Sequence, residues 1–378
     1  MAEQIRVALI GYGYAGRTIH APLIGSVEGL ELAVIGSRQP EDELRARLPG
    51  VRPVADPLKA ATDPDVDLVV IATPNQSHAP LAEAALRAGK HVVIDKPFTV
   101  TLEEARRLAK VASETGCLLS VFQNRRWDSD FLTVAGAIRD GRLGEIAHVE
   151  SRIDRFRPEV KDRWRESRQP GGGLWWDLGP HLADQALHLF GLPEHVTAHI
   201  ALQRVGAKAD DWFQIMLTYP KLHVILGAGM LVSGGTQRFT LHGSRASLVK
   251  RDVDVQENQL RAGMVPRDLD WGIDLDAATL FDGATGETEL VTAIDGDYCR
   301  FYDAVRDALT EGTANPVSPA EGVATMAILE AAQASAREGR SLPPPLLPEE
   351  VADFETGRAN SLAVSAMTAR DAAASAIF

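Results

Sequence analysis

An apolar run, Ile5–Ile10, breaks into Gly11-Tyr12-Gly13-Tyr14-Ala15-Gly16, and a helical pattern follows. A strand that ends in glycines and reopens as a helix must turn tightly. The first glycine permits the turn, the second lets backbone approach a pyrophosphate, and the third lets helix and strand pack closely. The first N–H groups of such a helix lack internal partners and carry the positive end of its dipole, which suits phosphate. The spacing also occurs by chance, and a ligand-free strand–helix turn would satisfy it, so the surroundings decide. Further β-branched runs, Leu30–Ile35, Leu68–Ala72, His91–Ile94 and Leu118–Phe122, alternate with helical patterns such as Ala79–Ala88 and Leu102–Thr115. Near-continuous apolar strands separated by helices predict a parallel sheet covered on both faces. Residues 1–123 therefore read as an α/β unit, a doubly wound Rossmann domain.

After Phe122 the rhythm changes. A helix over Phe131–Asp140 stops at Gly141, a strand spans Ile146–Phe156, and a second helix covers Trp175–Phe190. The alternating segments Trp212–Tyr219, Leu222–Met230, Arg238–His242 and Ala246–Lys250 predict a large, open, mostly antiparallel sheet in an α+β domain over residues 124–345. Helices are expected at Tyr298–Thr310 and Ala320–Glu338, and Pro343-Pro344-Pro345 is expected to end regular structure. The Ala- and Ser-rich tail, 346–378, reads as disordered, a weak helix or an arm onto a neighbouring subunit. Ile215, Leu217, Ile225 and Leu226 are expected to put apolar side chains on both faces of the sheet, with too few helices to cover them. A homodimer or larger homo-oligomer is the expectation.

Formal net charge is −13, which argues against a nucleic-acid partner. The two cysteines, Cys117 and Cys299, lie far apart with no metal-ligand spacing, so neither a metal site nor a disulfide framework is expected. No signal-like or membrane-spanning run stands out, and a cytoplasmic enzyme with a small-molecule substrate is the expectation.

The end of the second strand bears on cofactor choice. NAD-selective folds place Asp or Glu there to bind the ribose 2′-hydroxyl. This chain has Ile35-Gly36-Ser37-Arg38 and no carboxylate before Glu41. Ser37 can donate to a 2′-phosphate and Arg38 can neutralise it or stack on adenine, so NADP is expected. An ordinary surface role for Arg38 is the alternative.

Thr73-Pro74-Asn75, with His78 close behind, follows the strand Leu68–Ala72, and Asp95-Lys96-Pro97 follows the strand His91–Ile94. Open α/β sheets bind ligands at these carboxyl ends. Much later comes Trp176-Asp177-Leu178-Gly179-Pro180-His181. The ordered set of glycine loop, Lys-Pro and Asp-x-x-x-His resembles the glucose-fructose oxidoreductase / inositol dehydrogenase family (Gfo/Idh/MocA) over nearly the whole chain to about residue 340. The family usually has Glu where this chain has Asp95, which keeps the charge and shortens the reach. Asn124-Arg125-Arg126-Trp127-Asp128, Asp154-Arg155-Phe156-Arg157-Pro158 and Asp162-Arg163-Trp164-Arg165 look like its NADP-dependent scyllo-inositol dehydrogenase branch. The resemblance implies a cofactor lying between two domains with a polyol beneath the nicotinamide. It also implies catalytic positions at Lys96, Asp177 and His181. The cofactor candidates are the glycine loop from Gly11 to Gly16, Ser37, Arg38, Thr73, Pro74, Asn75, His78, Asp95, Lys96 and Pro97.

Oxidising a secondary alcohol requires an acceptor for the hydroxyl proton, and histidine suits neutral pH. Asp177 and His181 lie four apart, on one helix face. Lys96 can stabilise developing alkoxide charge or relay the proton. Asp184 and His188 continue the same stripe, so a merely polar helix face is the competing reading. Arg155 and Trp164 are the substrate-contact candidates, since polyols favour directional donors beside flat apolar surface. A non-catalytic NADPH-binding redox sensor, or a reductase of a dicarbonyl or deoxysugar, is the alternative function.

Overall fold

The computed structural model describes residues 4–375, with side chains through Val364. Six strands, β1 Ile5–Ile10, β2 Leu30–Gly36, β3 Arg52–Val54, β4 Leu68–Ile71, β5 His91–Asp95 and β6 Leu119–Phe122, form a parallel sheet in the order β3-β2-β1-β4-β5-β6. β1 and β4 are adjacent although two strands separate them in sequence, so the winding reverses between them. Gly11 and Thr73 leave the carboxyl ends of those two strands, where a crevice opens in such sheets. The helices are α1 Ala21–Gly25, entered through a π-helical turn at Gly16–His20, α2 Glu41–Arg47, α3 Pro57–Ala61, α4 His78–Arg87 and α5 Leu102–Thr115. Thr101 caps α5 by accepting from the Glu104 N–H, as the sequence suggested. β3 escaped the sequence pattern because it is three residues long, contains Pro53 and sits at the sheet edge.

The second sheet has eight strands: β7 Ile146–Arg152, β8 His195–Ala201, β9 Trp212–Thr218, β10 His223–Gly229, β11 Phe239–Gly243, β12 Ala246–Lys250, β13 Ala278–Asp282 and β14 Thr288–Val291. Its order is β14-β13-β12-β11-β7-β10-β9-β8. Only the central β7–β10 pair is parallel, so the sheet is mixed and mostly antiparallel. The accompanying helices are α6 Ser129–Arg139, α7 Leu174–Phe190, α8 Gln256–Arg261, α9 Cys299–Thr310, α10 Pro319–Glu338 and α11 Pro348–Ser375. α10 ties the two sheets together: Glu330 accepts from the Leu102 N–H of α5, and Ser335 accepts from the Ala198 N–H of β8.

The apolar residues do stand on both faces of this sheet, unequally, and the reading of the C-terminal segment needs correction. Leu226 pairs with Ile215, and Val224 with Leu217, so these residues share the buried inner face. Of the four apolar residues expected on both faces, only Ile225 is on the open one, in a row with Met216, Glu150, Thr240 and Val249. That face is mixed, not uniformly apolar. Nor does regular structure end at the prolines, because α11 follows. Phe354 is buried, Glu350 pairs with Arg106, Arg358 donates to the His188 and Leu189 carbonyls, and the Ser361 hydroxyl reaches Glu321. The sequence leaves a helix as one of three readings of this tail, because the inward residues of α11 are few and widely spaced among Ala and Ser. Residues 376–378 lie outside the described range. Among the described residues no helix is long and apolar enough to cross a membrane, and no metal-binding group occurs.

Candidate active site

The glycine loop holds two kinds of glycine. A Cβ at Gly11, whose φ is +97°, would overlap the Ala72 carbonyl, and one at Gly16 would overlap the Gly11 carbonyl. Both are demanded by the chain's own packing. A Cβ at Gly13 would meet nothing within 4 Å. Packing does not explain that glycine, whereas the close approach of a pyrophosphate to the backbone does, so the loop fits a dinucleotide. Tyr12 is buried and its carbonyl accepts from Gln39 Nε2 at 2.7 Å. Tyr14 stands half out of the loop, and Ala15 is partly covered.

At the end of β2, the Ser37 Oγ accepts from the Gln39 N–H at 3.2 Å. Arg38 is exposed and its side chain has no partner among the described residues, while Glu41 is turned to Arg45. A free guanidinium thus stands where an NAD-selective fold has a carboxylate. Beyond β4, Thr73 accepts from the Ser77 hydroxyl and Asn75 Nδ2 donates to the Gly171 carbonyl at 3.1 Å. His78 is wholly buried, with Nδ1 2.9 Å from the Pro97 carbonyl and Nε2 2.9 Å from that of Thr73. The neutral ring has one N–H, so one of these contacts is the hydrogen bond. His78 therefore braces the two loops at the sheet edge.

Asp95 folds back on its own chain, with Oδ1 accepting from the Lys96 N–H at 2.8 Å. Its Oδ2 lies 3.7 Å from His20 Nε2, and His20 Nδ1 is 2.6 Å from the Tyr302 hydroxyl. Burial pushes the Asp95 carboxyl up, but His20, Lys96 and His78 outweigh it and hold it below the ordinary range. The Lys96–Pro97 bond is cis.

The Lys96 ammonium leaves the sheet edge and meets α7. It donates to the Asp177 carbonyl at 2.8 Å and lies 3.3 Å from Asp177 Oδ1. α7 begins there because Gly173 turns with φ +104° and a residue distant in sequence caps it. Asp210 Oδ2 accepts from the Trp175 N–H at 2.7 Å. Asp177 thus sits in the first turn, where the helix dipole favours a carboxylate. Arg155 Nη1 and Arg165 Nε each lie 3.7 Å from its carboxylate oxygens. Burial raises the Asp177 carboxyl, but Lys96, Arg155 and Arg165 together hold it below the usual carboxylate range. One turn on, His181 is 5% exposed and its Nδ1 has no partner among the described residues. Burial, then Lys96, Arg125, Arg155 and Arg238, push its pKa well below the ordinary value, so the ring is neutral at neutral pH.

The segment leading into α7 closes over this group. Trp164 carries the Arg165 guanidinium 4.8 Å above its ring, and both line a cleft with Asn75, Lys96, Trp176 and Asp177. The cleft encloses about 10 Å³, roughly the threshold for one water. Of Arg125, Arg126, Arg155, Arg157, Arg163 and Arg165, only Arg155 and Arg165 face Asp177. Arg163 pairs with Glu166, Arg157 is exposed, and Arg126 is sealed between Asp184 and Glu321. Arg125 joins Asp128 to Glu257. Glu257, on α8, was not legible in the sequence. It accepts from the Tyr14 hydroxyl at 2.9 Å and from Arg125 at 3.0 Å, tying the glycine loop to the second sheet's layer. No motif surrounds Gln256-Glu257-Asn258, so nothing in the sequence marks it.

Residues 5–123 match the model of an oxidoreductase family, NAD-binding Rossmann fold, and residues 135–344 match that of an oxidoreductase family, C-terminal alpha/beta domain; the two are the GFO_IDH_MocA pair. The uncharacterized oxidoreductase YdgJ of Escherichia coli is 48% identical over 344 residues, which is 90% of this chain and 99% of that one. The NADP(+)-dependent scyllo-inositol 2-dehydrogenase IolW of Bacillus subtilis is 38% identical over 344 residues, covering 90% and 96%. A crystal structure of an oxidoreductase from Klebsiella pneumoniae, 49% identical, superposes with a TM-score of 0.89 over 94% of this chain and 99% of that one.

Proposed function

The chain belongs to the Gfo/Idh/MocA oxidoreductase family, and from that premise we propose that it is an NADP(H)-dependent enzyme interconverting a secondary alcohol and a ketone on a compact polyol or sugar of the scyllo-inositol kind. The observation that carries the reading is the meeting of Lys96, from the carboxyl edge of the parallel sheet, with Asp177 one turn ahead of the neutral His181. Free Arg38 and the similarity to an NADP(+)-dependent relative support NADP.

The glycine loop, Ser37, Arg38 and the 73–75 turn hold the dinucleotide between residues 1–123 and 124–345. When bound there, the nicotinamide would supply the hydride acceptor for the carbinol carbon. Everything else falls to the chain. Lys96 donates a hydrogen bond to the reacting oxygen and stabilises its negative charge. His181 accepts the hydroxyl proton, so the alcohol becomes ketone, proton and transferred hydride. Asp177 keeps Lys96 on station and accepts from a neighbouring hydroxyl. Arg155 and Trp164 contact the substrate, and the Trp164–Arg165 segment shuts out water. The working unit is a cytoplasmic homo-oligomer joined through the open sheet face.

A panel of inositol isomers, aldoses and dicarbonyls, followed by NADPH absorbance, tests this. Turnover of at least one polyol or its ketone, with NADP preferred over NAD, is expected. Tight NADPH binding with no turnover of any panel member would instead favour the redox-sensor reading.

A further inference from the structure

Two buried arginines, Arg126 and Arg204, spend their donors on the fold. Arg126 gives hydrogen bonds to both Asp184 oxygens, to Glu321 and to the Pro316 carbonyl. Arg204 donates to Asp211, Glu166 and the Arg157 and Glu159 carbonyls. Arg155 and Arg165 behave differently. Among the described residues neither side chain makes a hydrogen bond, and each has one ion pair, to Asp177, at 3.7 Å. Both are nonetheless held in place. Arg165 is stacked on Trp164, and the Arg155 backbone is bonded to Gly229 and Val232. A guanidinium carries five N–H donors in a rigid fork, so two forks converge on the Lys96–Asp177 cleft with their donors unspent.

Lys96, Arg155 and Arg165 all stand against Asp177, and Glu257 and Asp95 add negative charge around Lys96 and Arg155, so it is the unused donors and not a surplus of charge that mark the place. A neutral polyol offers lone pairs to some of these donors but no paired acceptor that matches a guanidinium fork. An oxyanion would use the donors in the paired geometry that guanidinium favours. Asp177 does not block this, because Lys96 already holds its Oδ1 while the two arginines stand off beyond hydrogen-bond range.

We propose that the substrate carries an acidic group, carboxylate or phosphate, beside the alcohol that reacts, and that Arg155 and Arg165 bind it. This rests on the alcohol–ketone reaction proposed above and narrows its substrate to an acidic sugar or polyol. The known activity of the Bacillus subtilis relative concerns that protein's own substrate.

The test compares D-glucuronate and D-glucose 6-phosphate with D-glucose and scyllo-inositol. Two readouts are taken: kcat/KM with NADP, and the affinity of each compound for NADPH-loaded enzyme by cofactor fluorescence. At least one acid is expected to exceed D-glucose tenfold or more in affinity, and which of the two does so tells carboxylate from phosphate. R155Q and R165Q should each bring that ratio close to one, with NADPH affinity and melting temperature kept. R155K, which keeps charge and loses the fork, should fall between. Acids that bind no better than D-glucose, or variants that weaken acid and neutral sugar in equal proportion, overturn the proposal. An acid that binds with the stated advantage yet is never oxidised supports the anion site and removes the proposed reaction. A neutral polyol oxidised with no acid preferred does the reverse.

Discussion

Helix α7 carries the same pair of residue types twice. Asp177 and His181 occupy its first half, and Asp184 and His188 continue the stripe towards its end. The second pair is closed off. Arg126 grips Asp184 at 2.6 and 2.8 Å, Glu321 completes the cluster from α10, and Ser361 of α11 seals Glu321. His188 packs beside the Phe131 ring. The first pair is less enclosed at its carboxylate. Asp177 keeps a quarter of its side chain accessible, and its arginines stand 3.7 Å away. Residue type and helical spacing cannot separate a site from a strut. What separates them is whether the surrounding donors have already been used.

The sharpest break in that comparison comes at the closed end. Arg126→Ala leaves Asp184 and Glu321 buried without their cation and is expected to cost about 3–5 kcal/mol of stability. A denaturant titration reads this directly, and a loss below about 1 kcal/mol contradicts the strut assignment. At the open end the effect moves from stability to rate. Lys96→Met and His181→Ala are each expected to lower turnover a hundredfold or more, about 2.7 kcal/mol in the barrier, while the denaturant midpoint stays near the parent's.

Next in size is the cofactor contrast. Arg38→Ala removes a charge-assisted contact and should weaken NADP binding about ten- to a hundredfold, with NAD changed much less. Equal losses in a titration with both cofactors would remove Arg38 from the 2′-phosphate site. The smallest effect concerns pH. Burial comes first among the causes that depress His181, and Arg155 is one of the cations that depress it further. Alcohol oxidation needs the ring neutral, so the acid limb of kcat lies below the ordinary histidine value of about 6.5. Arg155→Gln removes one of those cations, so the limb should move up towards that value. A limb that stays or moves down separates His181 from proton transfer.

Most of the architecture was legible because its signals are local. β4 is an unbroken apolar run, β1 is broken only by Arg6 and β5 is apolar between His91 and Asp95, and a strand–glycine–helix junction states its own geometry. Lys96, Asp177 and His181 were legible as an ordered set of motifs. The parts that were not are non-local. Asp210 caps α7 from a loop beyond β8, and Glu257 becomes a bridge only because α8 lies against the glycine loop. Phe354 marks α11 as part of the fold only once α5 and α10 are in place. The inner-face register of Ile215 and Leu226 also needed strand pairing, since two apolar segments do not show which residues stand opposite one another.

The account's central claim is that the open end of α7, with Lys96, does the chemistry and the closed end does not. A single-turnover measurement of hydride transfer, with NADP already bound and a polyol that the parent oxidises, tests it most directly. Lys96→Met and His181→Ala should transfer at a hundredth of the parental rate or less with unchanged NADP affinity, whereas His188→Gln should stay within a few-fold of the parent. If Lys96→Met and His181→Ala transfer hydride at the parental rate, or if His188→Gln is the variant that stops it, the assignment of the two halves of the helix is wrong.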